Sequence, residues 1–120
     1  MLFKIFRTEM FKGELEKLSK TEQTRIKRFE NHLIENHFIG KPLGIVFLRE
    51  KRLNGRRAYY LIYEDFNAVL IVTVSNKKTQ QETIAVIKAN FGNYYQLIKK
   101  IVLETNVLFL FFQLLYLLCL

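Results

Sequence analysis

The hydrophobic positions of the first 18 residues predict a short strand followed by an amphipathic helix. Residues 2–6 form an apolar run of strand length, and the charges of Lys4 and Arg7 exclude a signal peptide in this stretch. Thr8 is a residue type that caps helix starts. The apolar residues after it recur at helical spacing and predict one buried stripe: Phe11, Leu15 and Leu18.

A second amphipathic helix follows. Ser19 and Glu22 have the spacing of a capping box, in which each side chain accepts a bond from the other residue's backbone N–H. Gly40 and Pro42 end the helical region, because glycine caps a helix and proline cannot continue it. The predicted buried stripe is Ile26, Phe29, Leu33 and Ile34, whereas Lys20, Arg25, Lys27, Arg28 and Glu30 are predicted to point elsewhere. The two helices predict a helical hairpin that lies on a sheet.

Residues 49–75 predict three consecutive antiparallel strands. Asn54 and Gly55 separate two strand-like runs, and this dipeptide favours a two-residue turn in which both residues have positive φ. Residues 64–67 form a polar second turn, and residues 68–74 form an apolar run typical of a central strand. The first turn predicts five opposed pairs: Leu53 with Arg56, Arg52 with Arg57, Lys51 with Ala58, Glu50 with Tyr59, and Arg49 with Tyr60.

C-terminal helices are predicted after the sheet. Residues 76–78 form a basic turn, and Thr79 and Glu82 have capping-box spacing. Gly92 is predicted to end the first of these helices, and helical periodicity continues to about residue 103. The fold class is therefore α+β, with a small antiparallel sheet, an N-terminal helical hairpin on one face and C-terminal helices, in a domain at residues 1–104.

Residues 105–120 form an apolar tail of unknown role. From Asn106 onward the tail has fifteen residues and no charge. A bilayer-spanning helix needs about 20 apolar residues, and Glu104 blocks extension towards the N-terminus. Three explanations stay open: a helix packed on the domain or a partner, a membrane-associated tail, and read-through from a shifted reading frame.

Charge and cysteine usage narrow the class of protein. The chain has 120 residues, a formal net charge of +8 and one cysteine, Cys119. This length fits one domain, and a lone cysteine excludes an internal disulfide framework, so we expect a cytoplasmic protein. The basic balance favours a polyanionic partner. His32 and His37 are five residues apart and do not share a helix face, so we expect no metal site and no cofactor.

The remaining candidates for chemistry are cations beside tyrosines. Cations fix phosphates, rings stack on unpaired bases, and fixed cations stabilise the charge that develops during metal-independent RNA cleavage. An alternative stays open, in which the tyrosines are core or edge residues and the charges form a solvated rim. Strand alternation places Arg56, Ala58, Tyr60 and Ile62 on one face, and Arg57, Tyr59, Leu61 and Tyr63 on the other.

The order of elements and three segments resemble the RelE/ParE toxin superfamily of type II toxin-antitoxin systems, and its RelE-like branch in particular. The segments are GKPL at 40–43, REKRLNGRRAYYLIYED at 49–65 and VLIVTVSNKKTQQETI at 69–84. The resemblance covers roughly residues 1–103 and implies a toxin that is neutralised by an antitoxin protein. RelE-like members cut messenger RNA on the ribosome, and ParE-like members poison DNA gyrase.

The resemblance also implies which residues form the site. It places Tyr60 where the family has an arginine, and Ile84 where its nucleases have a tyrosine. Lys51 and Arg52 correspond to lysines before the hairpin turn, and Lys78 to the basic residue after the last core strand. The implied catalytic set is Lys51, Arg52, Arg57, Tyr60 and Lys78, with Arg49, Arg56 and Lys77 binding RNA.

We therefore expect a ribosome-dependent mRNA endoribonuclease toxin whose partners are an antitoxin, the ribosome and mRNA. Two alternatives remain, because two family positions are changed. One is a non-enzymatic gyrase inhibitor, and the other is a toxin-fold protein that only binds an antitoxin or RNA.

Overall fold

The structure is a computed structural model that describes residues 2–120, so residue 1 of the predicted domain lies outside the described residues. The chain forms two compact units, Met1–Ile87 and Lys88–Leu120. The strands are β1 (Lys4–Arg7), β2 (Lys41–Pro42), β3 (Leu48–Arg52), β4 (Arg56–Tyr63) and β5 (Ala68–Asn76). The helices are α1 (Glu9–Glu16), α2 (Lys20–Glu35), α3 (Gln80–Ala89) and α4 (Phe91–Leu118).

The five strands form one sheet with the order β1-β5-β4-β3-β2. Strands β3, β4 and β5 are consecutive and antiparallel, as predicted, and the α+β fold class is confirmed. The sheet is nevertheless mixed, because β1 pairs with β5 in parallel and Lys4 lies opposite Ala68. β5 is the second strand of this order and is buried along Ala68 to Ser75, which confirms a strand covered on both faces.

The β3-β4 hairpin has the predicted turn and the predicted register. Asn54 has φ 53° and Gly55 has φ 92°, so both turn residues have positive φ. The backbone N–H of Leu53 donates to the carbonyl of Arg56 at 2.8 Å and closes the hairpin. The strand pairs are those that the sequence predicts, including Arg52 with Arg57, Glu50 with Tyr59 and Arg49 with Tyr60.

Helices α1 and α2 contribute to a core formed on one side of the sheet. Their predicted stripes are confirmed at Phe11, Ile26, Phe29 and Leu33, which are all buried. From the sheet, the core receives Ala58, Tyr60, Ile62, Val69, Ile71 and Val74. Burial of each large apolar side chain stabilises the fold by about 1.5–3 kcal/mol.

The prediction that Glu30 points away from the buried stripe is wrong. Glu30 is 8% exposed, and it accepts bonds from Nε of Arg7 at 2.6 Å and Nη2 of Arg7 at 2.5 Å. The same carboxylate raises the pKa of Arg7. A bidentate arginine partner makes burial of this charge tolerable, and sequence periodicity does not reveal such a partner.

Thr8 connects the start of α1 to an irregularity in β5. Its hydroxyl accepts the N–H of Phe11 at 3.0 Å, as an N-cap does, and donates to the carbonyl of Val72 at 2.6 Å. Val72 is the extra residue of a bulge, since Tyr59 pairs with Thr73 and Tyr60 with Ile71. Ser19 and Glu22 cap α2 with the predicted capping box.

The predicted helix end at Gly92 is wrong. α3 ends at Ala89, and Gly92 is already the second residue of α4.

The start of α3 is capped by Asn76 and not by the predicted capping box of Thr79 and Glu82. Oδ1 of Asn76 accepts hydrogen bonds from the backbone N–H and the hydroxyl of Thr79. α4 then continues without a break past Glu104 to Leu118, and a domain boundary at 104 stays a prediction.

Candidate nucleic-acid interface

Six of the predicted site residues lie at one end of the sheet. β3 ends, β4 begins and β5 ends at this position, with Arg52 opposite Arg57 and Arg57 opposite Ser75. Neighbouring strands are about 4.8 Å apart, so β3 and β5 are separated by about 10 Å. We call this group the basic end, and its members are Lys51, Arg52, Arg56, Arg57, Lys77 and Lys78. The predicted proximity of the hairpin and the turn after Ser75 is confirmed.

The cations of the basic end divide between the two faces of the sheet. Lys51 pairs with Ala58, which belongs to the core under α1 and α2. Arg52 pairs with Arg57 on the opposite face, because successive side chains of a strand alternate. The two predicted catalytic cations of β3 therefore do not share a face.

Four cations of the basic end are accessible to a ligand. Arg52, Lys77 and Lys78 are exposed, and Lys51 is partly exposed. Within residues 2–120, none of these four side chains has a hydrogen bond or an ion pair. Accessible cations without partners bind phosphate groups with little competition from the protein itself.

Arg49 and Arg56, predicted to bind RNA, have partners within the fold. Arg56 forms a short ion pair with Glu22 of the α2 capping box. The guanidinium of Arg49 donates to the carbonyls of Val46, Phe38 and Gly40, and it lies 4.7 Å from the ring centroid of Phe38. These contacts give Arg49 a role in holding residues 38–46 against β3.

Tyr60, predicted to be catalytic, lies in the core between the sheet and the helices. It has no exposed surface, and its ring centroid is 5.7 Å from that of Phe29. Its hydroxyl donates to the carbonyl of His37 at 3.0 Å and accepts the N–H of Gly40 at 2.9 Å. Burial raises the pKa of this hydroxyl. Base stacking requires an accessible ring, so we leave Tyr60 out of the interface.

Arg57, also predicted to be catalytic, is enclosed beside a carboxylate. Its side chain is 8% exposed, and its Nε lies 3.5 Å from Oε1 of Glu50, which is 4% exposed. No hydrogen bond reaches this Nε from any residue in the range 2–120. Gln80 of α3 donates from Nε2 to Oε2 of Glu50 at 2.7 Å. Arg57 thus neutralises Glu50, and a phosphate would compete with that carboxylate.

Tyr59 and Ser75 complete this buried polar cluster on the same face. The hydroxyl of Tyr59 and Oγ of Ser75 are 2.8 Å apart, and Ser75 also donates to the carbonyl of Asn76. Burial raises the pKa of Tyr59. The predicted register already placed Tyr59 opposite Glu50, but Ser75 and Gln80 were missed, because their positions depend on β5 and α3 in three dimensions.

The arrangement separates anion binding from proton transfer. Its accessible groups are cations, which hold phosphates and stabilise developing negative charge. Tyr59 and Glu50, which carry a hydroxyl and a carboxylate of the kinds used as general acids and bases, are buried. Among residues 2–120, no group of three or more His, Cys, Asp or Glu side chains is placed to hold a metal ion. Ile84, at the position of the family's tyrosine, is half-buried on α3.

Comparison with known proteins identifies the fold. No protein-family model matches the sequence, and no curated protein matches it significantly. Among solved structures, a mutant of the Escherichia coli toxin RelE in the free state has a TM-score of 0.63 and 19% identity, covering 73% of this chain and 98% of RelE. The RelBE2 toxin-antitoxin complex from Mycobacterium tuberculosis has a TM-score of 0.57 and 21% identity, covering 64% of this chain and 100% of the other.

An archaeal RelE-RelB complex from Pyrococcus horikoshii gives a TM-score of 0.55 and 19% identity, covering 64% of this chain and 97% of the other. The chain therefore has the fold of RelE toxins. The RelE-like fold that the resemblance implies from the hairpin and the β5 segment is confirmed by these structural neighbours.

Proposed function

We propose that this chain is the toxin of a type II toxin-antitoxin system and that its basic end binds RNA on the ribosome. The observation that carries the proposal is the set of accessible cations at one end of a RelE fold, which have no partner among residues 2–120. Several structural neighbours are complexes of a RelE toxin with its antitoxin, which supports an antitoxin as the protein partner.

The proposed activity is cleavage of messenger RNA without a metal ion. In such cleavage the 2′-hydroxyl gives its proton to water and its oxygen bonds to the adjacent phosphorus. The bond from phosphorus to the 5′-oxygen breaks, the 5′-oxygen takes a proton from water, and a 2′,3′-cyclic phosphate remains. Fixed cations stabilise the negative charge of the transition state. Arg52, Lys77 and Lys78 are the residues that we assign to this stabilisation. Removal of one transition-state donor lowers kcat by about 100-fold or more.

A second candidate is a binding protein with the same fold and little or no nuclease activity. It is favoured by the enclosed Arg57, the core position of Tyr60 and the isoleucine at position 84. A non-enzymatic gyrase inhibitor is one form of this candidate, and a protein that only binds antitoxin or RNA is the other.

The test is cell-free translation with the added protein, followed by primer extension on the message. We expect discrete ribosome-dependent cuts with the wild type and their loss in the variant Arg52→Ala/Lys77→Ala/Lys78→Ala. A control with equal loss of charge is Lys17→Ala/Lys20→Ala/Lys27→Ala, which changes exposed lysines near or in α1 and α2. The control should retain the cuts.

Absence of cuts by wild-type protein at ribosome-equivalent concentration overturns the nuclease proposal. A gyrase supercoiling assay then separates the two forms of the second candidate. Cuts that persist in the basic-end variant leave the activity in place but overturn its assignment to Arg52, Lys77 and Lys78.

A further inference from the structure

The C-terminal half of α4 exposes apolar side chains around its whole circumference. Phe109, Leu110, Phe111 and Phe112 are consecutive, and they are 61%, 64%, 55% and 64% exposed. Consecutive residues of an α-helix are separated by about 100°, so these four point to all sides. A helix that is hydrophobic all round is typical of a protein interior or a membrane, rather than of a surface helix with one docking face.

The amount of exposed apolar surface requires a cover. Every residue from 103 to 120 is exposed. An apolar patch on a soluble monomer rarely exceeds a few hundred Å². A groove on a protein partner, or a second copy packed side by side, covers one side of the helix and leaves the other in water. A lipid bilayer surrounds the helix and covers every side.

The length of the segment fits deep insertion into a bilayer. α4 has 28 residues and meets the length and composition criteria for crossing a membrane. Residues 105–120 span about 24 Å at 1.5 Å per residue, against a hydrocarbon thickness of about 30 Å. A difference of this size is accommodated by local thinning of the bilayer. Glu104, one turn beyond Lys100 and 4.0 Å from its Nζ, then lies near the boundary with the headgroups.

The charges before the segment indicate the kind of lipid. Lys99 and Lys100 are exposed and immediately precede the apolar stretch, which itself has no charge after Glu104. Basic residues at the end of a membrane segment attract anionic headgroups and favour the cytoplasmic side. The charged domain before α4 would then remain on that side.

We propose that α4 anchors this protein in a bilayer that contains anionic lipid, with residues 105–120 inserted and Lys99 and Lys100 among the headgroups. This proposal is independent of the proposed RNA-directed function, since it concerns a different segment and a different ligand.

The experiment is cell-free synthesis of the full chain in the presence of vesicles of phosphatidylcholine and phosphatidylglycerol, followed by flotation. We expect the wild type to float with the vesicles and to resist release by high salt.

Four single variants probe the four sides of the helix: Phe109→Arg, Leu110→Arg, Phe111→Arg and Phe112→Arg. Each should lower vesicle binding by about 50-fold or more, because an arginine near the centre of a membrane helix is strongly disfavoured. Thr24→Arg, which adds the same charge at an exposed position of α2, should bind as the wild type does.

A second pair of measurements tests the lysines. Lys99→Ala/Lys100→Ala should weaken binding to anionic vesicles by about fivefold for each lysine and change binding to pure phosphatidylcholine little. Wild-type protein that does not float, or that salt releases completely, overturns insertion. Sensitivity confined to one or two of the four arginine variants also overturns it, because one-sided sensitivity indicates a protein contact.

Discussion

The hydroxyl of Tyr60 accepts the backbone N–H of Gly40 at 2.9 Å, and this bond fixes the chain that follows α2 against the central strands. A Cβ atom on Gly40 would lie 2.8 Å from that hydroxyl and 2.8 Å from the carbonyl oxygen of Glu50. Glycine at position 40 is therefore required by close approach, and Tyr60 is required to satisfy a buried N–H.

Tyr60→Phe tests the structural role of this hydroxyl. The variant leaves the N–H of Gly40 without its acceptor inside the protein, so we expect a loss of about 1–3 kcal/mol in the free energy of unfolding. Urea unfolding monitored by circular dichroism measures it. Tyr116→Phe, on a residue that is 67% exposed, should change stability little. Equal stability of the Tyr60 variant and the wild type would argue against a structural role.

The Glu50–Arg57 pair should behave as a unit. Glu50→Leu leaves a buried arginine without its carboxylate, and loss of one partner of a buried ion pair costs about 3–5 kcal/mol. Glu50→Leu/Arg57→Met removes both charges and should recover much of that loss. A double-mutant cycle of urea unfolding gives the coupling energy between Glu50 and Arg57. Strictly additive losses of stability would show that the two side chains are not coupled.

Glu22 predicts a stability change in acid. The side-chain bond from Arg56, followed by the N–H of Ser19, lowers the pKa of Glu22 below its ordinary value of 4.5. The ionised carboxylate of Glu22 therefore contributes to the stability of the fold above pH 4.5. This contribution is lost as pH falls through the lowered pKa of the folded state. The wild type should be more stable than Glu22→Gln at neutral pH, and the difference should vanish in acid. Unfolding curves across this range measure it, with exposed Glu16→Gln as the control.

The basic end predicts a salt dependence for RNA binding. Each phosphate contact contributes about 0.7 to the slope of log K against log salt for single strands. Arg52→Ala/Lys77→Ala/Lys78→Ala should therefore reduce the slope by about 2, measured by fluorescence anisotropy with an unstructured oligoribonucleotide. The Lys17, Lys20 and Lys27 alanine control should keep most of the slope. A larger loss in the control would place the RNA on the helices instead.

Local signals predicted the parts of the fold that depend on neighbouring residues. The residue types Asn54 and Gly55 favour the positive φ angles of this turn. The length of the turn then determines which residues of β3 and β4 are opposed. The cap at Thr8 and the capping box at Ser19 likewise use residues within one helical turn. Such features need no information about the rest of the chain.

The burial of Tyr60 could not be predicted from the sequence. Alternation correctly grouped Tyr60 with Ala58 and Ile62, but alternation does not say which face the helices cover. Alignment to a family arginine suggested an accessible site, whereas the core cluster places the ring beneath α2. The same limit applies to Gln80, whose bond to Glu50 joins residues that are 30 positions apart.

The parallel pairing of β1 with β5 affects how the chain folds during its own synthesis. Lys4 pairs with Ala68, a partner that the ribosome adds 64 residues later. At roughly 5–20 residues per second, β1 waits about 3–13 s for that partner. α1 is subject to the same delay, because Thr8 donates to the carbonyl of Val72. The growing chain therefore carries an incomplete sheet, in which β1 is unpaired, until most of the domain has been translated.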